Sequence, residues 1–423
     1  MRIRQEVLIE GHTDDIRNLA CSPDGTLLVS SSKDGSVRVW DVGERQQRHA
    51  MSGSESLGDF LPADCPEPSA DVSWSADGSR LAVAAPHGGV HLCDATGKPM
   101  MTIESRARRT RKVLFSADGQ RLLASFGTGH LLVWTRDGEE ITRLATEKRD
   151  ITDFALSPDG DFLAAGDSAG DLWLWDARTW QVLHSGHATP EGHAKAAKRQ
   201  DRWVRDLHFV ADGSRLVLRA CNGRKGYETG AWDTIAWPSD GDADVRGART
   251  LRLTWVGPVG DHRQSATGLA ASPDGQLLVA DNGAIGQTSL IDPYSLRARA
   301  MLSVPKTPVR HYALLRFSYD NRFLAATTPR GRVLIWDTVL PYLADDLAAH
   351  TQLWDLAELD AEMAGQDDMG EPPLFTCTAL AWSPDGSYLA TAGIDHVEPK
   401  PYRWHVANER HTIKLWAIDY TAY

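Results

Sequence analysis

Residues 11 to 41 read Gly11-His12-Thr13-Asp14-Asp15-Ile16-Arg17-Asn18-Leu19-Ala20-Cys21, a turn Ser22-Pro23-Asp24-Gly25, Leu27-Leu28-Val29-Ser30, a second turn Ser32-Lys33-Asp34-Gly35, and Val37-Arg38-Val39-Trp40-Asp41. Short runs of alternating apolar character are the period-2 signature of half-buried strands, and Pro-Asp-Gly and Lys-Asp-Gly supply hairpin turns between them. The stretch therefore encodes three strands and two tight turns.

The first turn recurs seven times, at Ser75-Ala76-Asp77-Gly78, Ser116-Ala117-Asp118-Gly119, Ser157-Pro158-Asp159-Gly160, Val210-Ala211-Asp212-Gly213, Ser272-Pro273-Asp274-Gly275, Ser318-Tyr319-Asp320-Asn321 and Ser383-Pro384-Asp385-Gly386. Successive spacings are 53, 41, 41, 53, 62, 46 and 65 residues. The 41-residue minimum fits a unit of four short strands, so longer intervals are insertions on a constant repeat. In each repeat a third strand ends on Trp or a stand-in: Trp40, Cys93, Trp134, Trp175, Trp232, Ile291, Trp336 and Trp416.

The order Gly-His, Ser-Pro-Asp-Gly, Ser-x-Asp-Gly, Trp-Asp resembles a WD repeat, one blade of a β-propeller. The resemblance implies that His12, Ser30, Asp34 and Trp40 form a hydrogen-bonded tetrad. Other repeats depart from it: the Asp position holds Thr128, Ala169, Ile285 and Arg330, and blade eight keeps Thr391, Asp395 and Trp416 but has Pro373 where His is expected. Blades lacking the network must rely on apolar packing. The expected fold is all-β: a single closed eight-bladed propeller of four-stranded antiparallel blades over residues 1–423. Seven blades would result if the degenerate unit five or two were absorbed. Seven residues follow Trp416, too few for a loop and a full outer strand, whereas Arg2 to Glu10 alternates with no blade of its own. The N-terminal strand is thus expected to complete the last blade and remove the sheet edge.

In a chain of 423 residues with 42% hydrophobic and 24% charged content, composition is that of a globular protein. No run reaches the length of a membrane span, and charges in Met1 to Glu10 leave no signal-peptide core, which predicts a cytoplasmic protein. Five scattered cysteines without a CxxC pair indicate neither disulfides nor zinc and read as small buried hydrophobes. A net charge of -12 argues against nucleic acid and anionic membrane as partners. The Ala, Arg, Asp and Gly richness suggests a bacterial, high-GC source.

Insertions are expected at 52–70, 184–202, 221–229, 235–248, 256–265, 339–375 and 395–411. Under the resemblance, all but 235–248 lie on the face of the b–c and d–a connections, the top. Loops carry function on rigid scaffolds, so the top is the expected working face. Segment 339–375 holds nine acidic residues, Asp355 and Glu358 among them, and no Lys or Arg, with apolar spacing over 347–363 that suits a short amphipathic helix. It reads either as a solvated loop or as a docking element for a basic partner. Residues 194–205 carry the opposite charge, including Arg199 and Arg202 beside Trp203. Segment 395–411 contains Tyr402, Arg403, Trp404 and His405, residue types that anchor interfaces, although the aromatics could equally pack the loop onto its blade.

Chemical motifs are sparse. Gly166-Asp167-Ser168-Ala169-Gly170 matches a nucleophile elbow but occupies a repeat hairpin turn. Asp240, Asp242 and Asp244 begin like a calcium loop, yet Val245 and Leu251 stand where Gly and Glu are required. His396, His405 and His411 match no familiar metal spacing. No catalytic residue, metal or cofactor is therefore expected. The resemblance implies a non-catalytic platform that binds a protein or peptide partner through its top face. The alternatives are a small-ligand or hydrolytic propeller using the central channel, and a structural subunit of a larger assembly.

Overall fold

Each repeat sets a leucine on its second strand opposite the residue that ends its third. Leu28 faces Trp40, Leu122 faces Trp134, Leu163 faces Trp175, Leu324 faces Trp336 and Leu389 faces Trp416. The pairing persists where the Trp is replaced, as in Leu81 with Cys93 and Leu278 with Ile291. Trp232 takes its place opposite Leu216. Immediately beside this position the fourth strand carries one extra residue, such as Arg48 in blade one and Arg299 in blade six. Such a bulge increases the local twist of the blade.

The computed structural model describes residues 2–44, 46–51, 71–85, 89–104, 110–146, 149–188, 202–210, 213–222, 227–233, 254–258, 266–282, 287–295, 297–302, 314–327, 332–339, 342–347, 377–396 and 409–419. Their strands form eight four-stranded antiparallel sheets, arranged as a propeller. The degenerate second and fifth repeats each build a sheet of their own, the fifth from Arg202–Phe209, Arg215–Asn222, Tyr227–Asp233 and Thr254–Pro258. Blade eight takes Cys377–Trp382, Tyr388–His396 and Glu409–Asp419 from the end of the chain and Arg2–Glu10 from its beginning. Ile3 pairs with Ile418 and Ile9 with Ile413, so the N-terminal strand closes the ring.

Apolar packing follows the seams between blades. Ala82, Val90 and Leu92 of blade two meet Val113, Phe115 and Leu122 of blade three. Phe162 and Leu174 of blade four meet Val204, Leu207 and Phe209 of blade five. Blade eight contributes Ala390, Ile413 and Leu415 to a cluster with Ile16, Leu19 and Trp40 of blade one. Each blade is thus sandwiched between its neighbours, the arrangement by which a repeat that cannot bury its own faces becomes stable.

The recurring turn explains its own sequence. Ser22 Oγ donates to Asp24 at 2.5 Å and accepts the Leu27 N–H at 2.9 Å, while Asp24 accepts the Thr26 N–H at 3.0 Å. Gly25 has a φ of 73°, open to glycine without strain. Asn321 fills the same position with a φ of 63°, and Asn is among the residues that tolerate it.

Several insertions are shorter than the sequence suggests, because hairpin ladders run into them. Cys221 pairs with Tyr227 in the expected 221–229 loop, and Asp395 and His396 pair with Arg410 and Glu409. Val182–His187 and Tyr342–Leu347 are outer strands, Arg202 opens an inner one, and Val256 lies in the outer strand of blade five. Backbone groups that find ladder partners are satisfied there, so pairing continues until the partner strand ends. Leu347 ends a strand, and the rest of the helix expected over 347–363 lies outside the described residues, as does 235–248.

Gly166 shows why the nucleophile-elbow motif is structural. It lies in strand Phe162–Asp167, and a Cβ there would overlap the Cβ and Cγ1 of Val204 on the next blade. Gly166→Ala is expected to destabilise the protein by about 1–3 kcal/mol through overpacking. Ser168→Ala should leave the denaturation midpoint near that of the parent. Chemical denaturation of both variants checks this.

Candidate functional site

The four residues implied by the resemblance meet in blade one. His12 Nε2 lies 2.7 Å from Ser30 Oγ, and His12 Nδ1 lies 2.8 Å from Asp34 Oδ2. Trp40 Nε1 donates to the same Ser30 oxygen at 2.8 Å. His12, Ser30 and Trp40 are buried. Burial opposes ionisation of Asp34, but donors from His12, Ser36 and the Thr13 N–H outweigh it and hold the carboxyl well below its ordinary range. Blade eight has a reduced version. Trp416 Nε1 donates to Thr391 Oγ1 at 3.0 Å, while Asp395 takes Thr412 and Lys414 as donors at 2.7 and 2.9 Å. The blade-one network ties the turn at Asp34 to His12, and the blade-eight network ties neighbouring strands of its sheet.

Among the sequence-predicted partner residues, Arg202 and Trp203 open the inner strand of blade five, where their backbones pair with Asn222 and Cys221. Arg199, Asp355, Glu358, Tyr402, Arg403, Trp404 and His405 lie outside the described residues.

The arrangement missed by motif reading lies four residues ahead of each turn. That position is Asn18, Asp71, Lys112, Asp153 and Asp206 in blades one to five and Gly268, Leu314 and Ala379 in blades six to eight. Each residue sits on or beside the innermost strand of its blade; the side chains are polar in blades one to five, whereas Leu314 and Ala379 pack into the seams on either side of blade eight. The polar members reach across the blades. Asn18 Nδ2 donates to Asp71 Oδ1 at 2.8 Å, and Asp71 Oδ2 accepts the Val113 N–H at 3.0 Å. Lys112 Nζ donates to Asp153 Oδ1 at 2.7 Å and to the Phe154 carbonyl at 2.8 Å. Asp153 Oδ2 then accepts the Leu207 N–H at 2.9 Å. Asp206, at a φ of 52°, pairs with Arg219 at 2.7 Å. Aligning the repeats on their turns would have shown this column; scanning for short motifs could not.

Electrostatics in the belt is coupled. Desolvation raises the Asp71 carboxyl to about 6 against the pull of the Val113 N–H and Lys112. Desolvation also opposes the charge on Asp153, but Lys112 and the Leu207 N–H overcome it, so Asp153 is lowered. Lys112 loses to desolvation less than it gains from Asp153 and is raised. His208, two residues beyond Asp206, is lowered by desolvation.

Where the inner strands reach their turns, a hollow of about 590 Å³ opens, lined by Trp74, Tyr319, Trp382, Arg316 and the turn prolines Pro23, Pro273 and Pro384. It lies at the mouth formed by the recurring turns. Indole N–H groups of Trp74 and Trp382 donate to the carbonyls of Ala20 and Arg316 on neighbouring blades, which ties its wall together. Cys21, Cys93 and Cys377 are buried, and desolvation pushes each thiol up to about 12. They are core side chains.

Comparison with known proteins agrees with this architecture. Residues 4–41, 138–176 and 374–397 match the family model of the WD domain, G-beta repeat, and the first of these contains the tetrad. Ribosome biogenesis protein ERB1 of Debaryomyces hansenii is 30% identical over 92 residues, which are 21% of this chain and 10% of that protein. Apoptotic protease-activating factor 1 of Homo sapiens is 38% identical over 69 residues, 15% of this chain and 5% of that protein. The chain thus spans a tenth or less of the length of these relatives. The crystal structure of the computationally designed Ika8 protein aligns over 98% of this chain and 99% of its own at 17% identity, with a TM-score of 0.65, a likeness of fold alone. These matches support a β-propeller built from WD repeats. The relatives are eukaryotic and lend nothing to a bacterial source.

Two titrations check the belt. Asp71 is raised from an ordinary 3.8 to about 6. A raised carboxyl favours the fold while protonated, so its contribution is full below 3.8 and is lost as pH rises through about 6. Carboxyl carbon chemical shifts in NMR are expected to give Asp71 a midpoint near 6, and Lys112→Met should move that midpoint higher.

Proposed function

We propose that this chain is a non-catalytic recognition scaffold that binds a protein or peptide partner at the top face and channel mouth of the propeller. The observation that carries this reading is the belt. Asp71 and Asp153 resemble the paired carboxylates of an active site, but each of their four oxygens already accepts a hydrogen bond. Carboxylates committed on both oxygens brace the channel and leave no general base in waiting. A braced ring presents its loops with little ordering cost on binding, which suits recognition. WD-repeat relatives whose names place them in ribosome biogenesis and in protease activation support a scaffold role in general terms.

A second reading, a ligand-binding propeller, draws on the aromatic hollow of about 590 Å³ at the mouth formed by the recurring turns. Permanent membership of a larger assembly differs from the first reading only in the size and lifetime of the interface. From the sequence we place the protein in the cytoplasm of a bacterium, without a cofactor, and we expect neither membrane nor nucleic acid as partner.

Affinity capture from the native source tests the reading. The intact chain is expected to recover a protein partner, and a variant carrying Arg202→Glu, Arg403→Ala and Trp404→Ala to lose it at unchanged thermal stability. Retention by the variant would refute the top-face assignment. Recovery of a small molecule in place of a protein would favour the hollow.

A further inference from the structure

We propose that Asp14, Asp15 and His411 form a binding site for a divalent transition-metal ion, Zn²⁺ first among them, at the seam between blade eight and blade one. The two carboxylates come from the loop that follows the N-terminal strand, and the imidazole comes from the last strand of the chain. One potential ligand atom from each of the three lies within 4.8 Å of the others.

His411 is the observation that points to a ligand. It is 8% exposed, on strand Glu409–Asp419, with its backbone paired to Ile394. Its Nδ1 is shielded from water and has no hydrogen-bond partner among the described residues. The nearest acid is Asp15 Oδ1 at 3.7 Å, too far for a hydrogen bond. A buried polar atom left in this way is costly unless something occupies the gap. In a tetrahedral zinc site, ligands about 2.0–2.2 Å from the metal lie roughly 3.4 Å apart, close to this His–Asp separation. Asp14 is exposed and one of its oxygens accepts the Asp15 N–H at 2.6 Å, which leaves the other oxygen to reach a metal.

The loop is held ready. Ser32 Oγ donates to the Asp14 carbonyl at 2.8 Å, and the Lys33 N–H donates to the Asp15 carbonyl at 2.9 Å. Arg17 and Lys33 take Asp15 Oδ2 at 3.1 and 3.0 Å, which leaves Oδ1 facing His411. Those two cations weaken a dication's hold without blocking it. One imidazole with two carboxylates favours zinc and its neighbours over calcium or magnesium, for which all-oxygen sets are preferred. A solvent-facing fourth position would remain for water. Bound metal would clasp the first blade to the last, so binding and ring closure stabilise each other.

The test is Zn²⁺ titration of the full chain by calorimetry, paired with thermal denaturation, for the parent, Asp14→Asn and His411→Gln. The parent is expected to bind Zn²⁺ and to denature at a higher temperature with the metal present. Each variant should lose at least tenfold in affinity for that site, and the metal-dependent rise should vanish. Asp14 is exposed, so its variant reports even where His411→Gln fails to fold. The chain has 15 histidines, and binding elsewhere would be common to parent and variants. Equal titrations for all three proteins, or no binding by the parent, would overturn the proposal.

Discussion

Everything in this molecule depends on apolar burial between adjacent blades. A four-stranded blade has two faces, and neither can be covered from within the repeat. Alternating residues such as Leu28 and Val29 are both fully buried, because one points toward blade eight and the other toward blade two. Stability therefore belongs to the seams, and a seam left open would expose two apolar faces at once. The N-terminal strand answers that constraint by pairing along most of the last strand, from Arg2 opposite Asp419 to Glu10 opposite Thr412.

Polar interactions are fitted to this frame rather than substituting for it. Ser–Asp–Gly turns satisfy the backbone where inner strands reverse, and successive turns nest, with Gly25 against Pro384 and Gly78 against Pro23. The tetrad in blade one and its reduced form in blade eight stand on either side of the closing seam. The channel belt acts circumferentially in blades one to five, tying each inner strand to the next through Asn18, Asp71, Lys112 and Asp153. Blades six to eight carry Gly268, Leu314 and Ala379 at that level, so the polar ties do not continue there through this position.

Much of the fold was legible because repeats report their own boundaries. The turn motif located the hairpins, and Trp40 and its counterparts marked where each third strand ends, Cys93 and Ile291 included. Loop ends were less legible, since nothing in Cys221 or His396 says that a ladder will continue past the usual strand length. The belt was hidden for a different reason: its members differ chemically from blade to blade, and only their common offset from the turn relates them. His411 with Asp14 and Asp15 was beyond spacing rules, because the ligands come from opposite ends of the chain and closure alone brings them together.

The central claim, that a closed ring of seams holds the structure, is tested most directly by hydrogen exchange on the chain with residues 1–10 removed. The account predicts that amides of Glu409–Asp419 lose protection, and that Leu27–Ser32 of the adjoining blade becomes more labile with them. Protection in both strands equal to that of the full chain would contradict it.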